Sequence, residues 1–284
     1  MNDNGLLQYY RQKANKQGFL KLDTLPFEKH PVTTLKHKMD GRDFYIKKCL
    51  PFVCSAEVLL SQIYDAAGIK TAIYLPGVIG REYVVVSNSV ESANSVKAME
   101  FFSNIKTKDA IVARTYNTTN KPDSIIDCSK HFTPQSMREL ILTQALDVAT
   151  FNTDRHFNNF FAEVNDPFDI FRAEHFVSFD YGACLRASET DPRLINFYST
   201  FGSGNQLFDR YPLLKSKDEI VDILRDNEIL NSYMPRQEIA ETLGSISAKD
   251  IAVDIFEQTG FAPDKYFVNR VDKSLYQTAE QLDQ

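Results

Sequence analysis

The stretch Phe151-Asn152-Thr153-Asp154-Arg155-His156-Phe157-Asn158-Asn159-Phe160-Phe161, followed downstream by Phe179-Asp180-Tyr181-Gly182, constrains the fold of this chain more than any other feature. Ahead of it, Thr133-Pro134-Gln135-Ser136 opens a helix, with Thr133 as the cap and proline at the first helical position. Met137, Leu140, Ile141, Gln144, Ala145 and Val148 give that helix an inner face. Behind it, Phe160, Phe161, Ala162 and Val164 read as one strand, and Phe176, Val177 and Phe179 as a second that delivers Asp180 onto a turn. A carboxylate, an amide and a second carboxylate are therefore expected to hang from a buried helix and two strands. Rigid support of that kind is what a positioned proton acceptor requires.

The order of side-chain types suits phosphoryl transfer. That chemistry asks little covalent work of a protein: a residue to orient the nucleophile, and oxygen ligands for the metal ions that bridge the phosphates. Asp154 fits the first role, and Asn159 with Asp180 fits the second. In protein kinases the loop reads H-R-D-x-x-x-x-N, with the same five-residue step from Asp to Asn, but here Arg155 and His156 follow the Asp. The inverted D-R-H-x-x-N order resembles the phosphatidylinositol 3- and 4-kinases and the HipA-like kinases, which share a distant version of the protein-kinase fold.

The first third of the chain supplies what such a site needs upstream. Residues 33–39, the pair Asp40-Gly41 and residues 42–49 read as a hairpin, since Asp-Gly suits a two-residue turn and Phe44-Tyr45-Ile46 is rich in strand formers. Lys47 and Lys48 end that strand, and a helix over residues 55–68 follows, capped by Ser55, carrying Glu57 and closed by Gly68. A strand lysine held by a helix glutamate is how kinases bind the phosphates of ATP. Successive strand residues face opposite ways, so only one of Lys47 and Lys48 can enter a cleft, and the match to V-A-I-K favours Lys47. Residues 71–79 and 81–89 form a second extended pair around Gly80, and Tyr83-Val84-Val85-Val86 leads into a linker where the backbone of Val86, Ser87 and Asn88 would meet an adenine edge. No G-x-G-x-x-G precedes Lys47, and the segment 25–35, which would cover the phosphates, contains no glycine. Thr33 and Thr34 are candidates for that covering role.

Each of these residues also has an ordinary structural reading. Edge lysines solubilise hairpins, and Asp and Asn near helix ends are most often caps. Their order along the chain is what argues for a site. Residues 91–107 carry helical spacing, 117–123 read as a surface loop, and after Tyr181 four helices are expected over 217–225, 236–243, 248–258 and 264–281. Gly202, Gly204 and Pro212 mark a loop ahead of them.

The resemblance implies an α+β, bilobal protein-kinase-like fold: a small β-rich N-lobe with one helix over residues 1–90, and a mostly helical C-lobe over 91–284. It implies ATP and Mg as cofactors. Asp154 becomes the catalytic base, with Arg155 and His156 beside it in the catalytic motif; Lys47, Glu57, Val86 and Asn88 become the nucleotide-binding set, and Asn159 and Asp180 the metal ligands. Phosphoinositide kinases carry a basic loop after this motif, whereas Arg186 and Arg193 here are set against Glu189 and Asp191. A HipA-like serine/threonine protein kinase acting on a protein hydroxyl is the better match, with a lipid or small-molecule kinase, an ATP-binding pseudokinase or an AMP-transferring enzyme as alternatives. The resemblance also leaves room for a regulatory or antitoxin partner.

Composition narrows the choice further. The 284 residues are 43% hydrophobic and 25% charged, which suits a well-filled globular protein. A net charge of -6 offers no global field for nucleic acid or anionic lipid. Cys49, Cys54, Cys128 and Cys184 have no metal-binding spacing. No signal-peptide core or membrane span is evident, so the chain is expected in the cytoplasm, or delivered to another cell without a cleaved signal.

Overall fold

The Tyr83-Val84-Val85-Val86 run forms the centre of a five-stranded sheet with order β1-β4-β5-β3-β2. Its strands are β1 (Leu20–Lys21), β2 (Thr34–Met39), β3 (Arg42–Cys49), β4 (Tyr74–Ile79) and β5 (Glu82–Asn88). A computed structural model describes residues 20–21, 34–39, 42–88, 90, 94–115, 129–165, 171–182, 195–198 and 214–284. Thr33 with most of the segment 25–35, Asp40-Gly41, the loop 117–123, Cys128 and Cys184 lie outside the described residues. So do Arg186, Glu189, Asp191, Arg193, Gly202, Gly204 and Pro212.

β2 and β3 pair antiparallel with Met39 opposite Arg42, the register that a two-residue connection demands. β5 pairs antiparallel with both β3 and β4, and Gly80 takes φ 61° in the tight turn between β4 and β5, where a side chain would be strained. Helix α1 (Pro51–Ala66) packs on this sheet. It starts earlier than expected, because Pro51 fits the first helical position and Leu50 takes the cap; Ser55 is buried and its hydroxyl turns back to the Pro51 carbonyl at 3.3 Å. Gly68 ends the element with φ 77°.

A second, three-stranded sheet runs β6 (Ser95–Lys97), β7 (Phe160–Val164) and β8 (Ala173–Ser178) in that order. The helix expected over 91–107 is thus displaced: a short strand comes first, and α2 (Ala98–Thr115) follows it. α3 (Pro134–Thr150) begins as expected, with the Thr133 hydroxyl accepting from Ser136 N–H at 3.1 Å. It has no single inner face. Thr143, Asp147 and Thr150 are buried with the apolar residues, because β8 packs on one side of it and α8 (Lys265–Asp283) on another. Before α8 come the strand pair β9 (Asn196–Tyr198) and β10 (Leu214–Ser216), then α4 (Lys217–Asp226), α5 (Glu228–Tyr233), α6 (Arg236–Ser245) and α7 (Ala248–Thr259). The short α5, capped by Asn227, was not evident from periodicity.

Below the two sheets, Phe101, Phe102, Phe132, Phe157 and Phe176 form an aromatic core, with the Phe102 and Phe157 rings 4.5 Å apart. Burying a Phe side chain is worth roughly 1.5–3 kcal/mol, so Phe157 pins the loop that follows α3 from beneath. Among the described residues no helix is long and apolar enough to cross a membrane. The architecture is α+β and kinase-like: a sheet carrying one helix, followed by a largely helical remainder.

Candidate active site

Strand alternation sends Lys47 and Lys48 to opposite faces of β3. Lys47 enters a cavity of about 300 Å³, while Lys48 meets Glu82 at 2.5 Å on the solvent side. Inside the cavity the Lys47 ammonium donates to Glu57 Oε1 and to Asp180 Oδ1, both at 2.6 Å. Burial opposes a charge on Lys47, but Glu57 and Asp180 more than offset it and keep the amine protonated well above its ordinary range. Burial likewise opposes the Asp180 charge, and Lys47 outweighs it, holding the carboxyl below its usual value.

Glu57 is fully buried on α1, and its second oxygen accepts the Tyr181 N–H at 2.9 Å. The Asp-Tyr-Gly turn is thereby fixed to α1. Asp180 itself adopts φ 61°, a left-handed conformation that Asp tolerates better than most residues. Gly182 sits so close beneath the pair that an added Cβ would fall 2.9 Å from Glu57 Oε1 and 3.3 Å from Lys47 Nζ. Glycine is required there by the close approach.

The loop from α3 to β7 carries the remaining groups. α3 ends at Phe151 in the left-handed conformation, φ 62°, which turns the chain sharply toward the cleft. Asp154 does not line the cavity; it is about half exposed, with His156 Nε2 at 3.9 Å from its carboxylate, and lies near enough to Asp180 and Lys47 to feel their charges. Partial burial raises the Asp154 pKa, His156 draws it down, and Asp180 raises it further. A carboxylate tuned upward in this way is a better proton acceptor. Asn159 Nδ2 donates to the Asp154 carbonyl at 2.8 Å, so the planar amide turns its oxygen the other way.

Arg155, expected among the catalytic residues, is corrected to a supporting one: it is fully buried and cannot meet a substrate. Its Nε bonds both oxygens of Asp147 at 3.1 and 3.2 Å, and Nη1 donates to the carbonyls of Phe179 (2.8 Å) and Asn159 (3.3 Å). It thus clamps the backbone of the residue before Asp180 and of Asn159 itself. Asp147, at the end of α3, is not singled out by the sequence pattern; an acidic residue inside an otherwise apolar helix is the signal that points to it.

The rest of the cavity lining differs in character. Ala72, Tyr74, Val90, Phe161 and Phe179 give it apolar walls, and the Phe161 and Phe179 rings lie 4.9 Å apart. Ser87, Asn88, Lys97 and Asn158 add polar groups. Val86 differs from its expected place: it is fully buried in the middle of the sheet, opposite Ile46 and Leu75, and does not line the cavity, whereas Ser87 and Asn88 do. Tyr45, two residues before Lys47 and on the same face of β3, also lines the cavity, and strand alternation would have found it. Lys97 left no such trace.

Aromatic walls together with a cation held between carboxylates suit the base and the phosphates of a nucleotide. Asn159 and Asp180 are hard oxygen donors of the kind magnesium takes. Among the described residues no three His, Cys, Asp or Glu side chains converge as a self-sufficient metal cluster. A magnesium ion held here would complete its shell with water and phosphate oxygens, which is its usual habit in nucleotide sites.

Fold and site together define a kinase-like architecture, and comparison with solved structures agrees. The crystal structure of CtkA, a proinflammatory kinase of Helicobacter pylori, is similar over 93% of this chain and 96% of that one, with a TM-score of 0.56 at 16% identity. HipA of Shewanella oneidensis MR-1, solved with HipB and operator DNA, aligns over 99% of this chain and 70% of its own, with a TM-score of 0.48 at 11% identity. At these identities the likeness is one of fold. No protein-family description matches the sequence, and no curated protein is significantly similar to it.

Proposed function

We propose that the chain is an ATP- and magnesium-dependent phosphotransferase, a HipA-like serine/threonine kinase that moves the γ-phosphate of ATP to a protein hydroxyl. The reading takes residues 1–90 as the lobe that holds the nucleotide and 91–284 as the lobe that carries the catalytic loop. The base lies in the slot bounded by Tyr74 and Phe161, with Ser87 and Asn88 at its edge. Lys47, held by Glu57, neutralises phosphate charge. Asp154 orients the substrate hydroxyl and accepts its proton, and its upward-shifted pKa suits that task. Asn159 and Asp180 would hold magnesium, which when bound neutralises charge on the transferring group.

The observation that carries this reading is the convergence of Lys47, Glu57 and Asp180, with 2.6 Å contacts, where Lys47 and Asp180 line a cavity that Tyr45, Tyr74, Phe161 and Phe179 also wall. Incubating the purified protein with γ-labelled and, separately, α-labelled ATP tests it. Transfer of label from the γ-position alone is expected. Label from the α-position would replace the proposal with AMP transfer, and ATP binding without any transfer would replace it with a pseudokinase.

A further inference from the structure

Helix α1 carries a second polar residue on the face that holds Glu57. Tyr64 lies two turns further on, fully buried, and its hydroxyl donates to Asp147 Oδ1 at 2.6 Å. Asp147 is the anchor of Arg155 and also accepts Asn152 Nδ2 at 2.6 Å, while its carbonyl accepts the Asn152 N–H at 2.8 Å. One carboxylate therefore gathers the end of α1, the end of α3 and both ends of the catalytic-loop clamp. The Tyr64 ring packs 4.8 Å from that of Tyr181, whose amide is bound by Glu57, and the Arg155 guanidinium lies 5.6 Å from the Tyr64 ring. At its first turn α1 is tied a second time, through the Asp264 N–H donating to Ser55 Oγ at 3.2 Å.

The core does not require the Tyr64 hydroxyl. Phenylalanine would fill the same space, and Asp147 would keep its bonds to Asn152 and Arg155. What the hydroxyl supplies is a direct hydrogen bond from the helix that sets Lys47 to the carboxylate that anchors the loop carrying Asp154. We infer that Tyr64 and Asp147 are positioning residues for the transfer proposed above, their hydrogen bond holding the phosphate-binding pair in register with the catalytic loop. The inference rests on that reading of the site for its catalytic consequence, though the link itself is measurable without turnover.

The test is Tyr64→Phe, followed by amide hydrogen exchange and steady-state kinetics. Loss of the link should speed exchange at the Asn152, His156 and Asn159 amides about tenfold while β3 to β5 keep wild-type protection. It should also lower kcat about tenfold, with KM for ATP changed less than about threefold, because misalignment harms the transfer step more than binding. Unchanged exchange in the loop, or acceleration spread evenly through the sheet, would overturn the inference. A wild-type protein that transfers no phosphate while its Tyr64→Phe variant still loosens the loop selectively would uphold the link and defeat the phosphotransfer reading instead.

Discussion

Lys47 with Glu57 and Asp180, and Arg155 with Asp147, are neighbouring ion clusters built on opposite terms. The first faces a cavity: the Lys47 side chain is 20% exposed and that of Asp180 43%. The second is sealed, at 0% for Arg155 and 1% for Asp147; Arg155 Nη1 donates to backbone carbonyls, while Nη2 has no hydrogen-bond partner among the described residues and the guanidinium lies among aromatic rings. Burying charge is expensive unless it is paired, so the sealed pair serves geometry, whereas the open cluster faces a space a ligand could enter. The contrast separates the two neighbours of the D-R-H motif: Arg155 is sealed in the fold, while Asp154 is about half exposed.

Removing one partner of the sealed pair is the severest way to break this comparison. Arg155→Met leaves Asp147 buried and uncompensated and is expected to cost about 3–5 kcal/mol in urea unfolding. Lys47→Met should lose nucleotide binding with a smaller stability loss, since Glu57, already pushed toward its neutral form by burial, relieves its own charge by protonation. Equal losses from the two variants would erase the distinction.

Gly182→Ala probes the open cluster without touching a charge. Its Cβ would crowd Glu57 and Lys47, and overpacking of this kind costs about 1–3 kcal/mol. ATP affinity by calorimetry should fall accordingly, while the sealed pair keeps its contacts.

Lys217 offers a third case, a largely buried cation that donates to the Thr278 hydroxyl at 2.8 Å. Burial lowers its pKa from 10.5 to about 8. Below pH 8 the folded protein carries the full penalty of the buried charge, and the penalty fades as pH rises toward 10.5. Lys217→Met should therefore stabilise the fold at pH 7 by on the order of 1–3 kcal/mol, with the gain vanishing at alkaline pH. A gain that persists at high pH would show packing, not charge, at work.

The smallest effect is expected from Lys48→Met. Its pair with Glu82 is surface-exposed, and such pairs are worth about 0–1 kcal/mol. Transfer activity should be unchanged, and a loss like that of Lys47→Met would mean that the wrong lysine faces the cleft.

Legibility in the sequence follows the same division. The open cluster could be read because Lys47, Glu57 and Asp180 sit on a hairpin strand, a helix and a turn, each of which has a local signature. The sealed cluster could not, because Asp147 and Tyr64 look like stray polar residues until α1 and α3 are packed against the loop. Likewise β6 is too short to register alone and exists through its pairing with β7, which lies far along the chain. The start of α1 was misplaced because Ser55 looks like a cap, yet Pro51 fits the first turn and Ser55 turns inward.

The central claim, that Asp154 acts at a cleft whose nucleotide is held elsewhere, is tested most directly by Asp154→Asn, with γ-phosphate transfer and ATP affinity measured on the same preparation. Loss of a general base should lower the rate about 10²–10⁴-fold, while ATP affinity stays within about twofold of wild type because Lys47, Tyr74 and Phe161 are untouched. Transfer at the wild-type rate by Asp154→Asn would contradict the account.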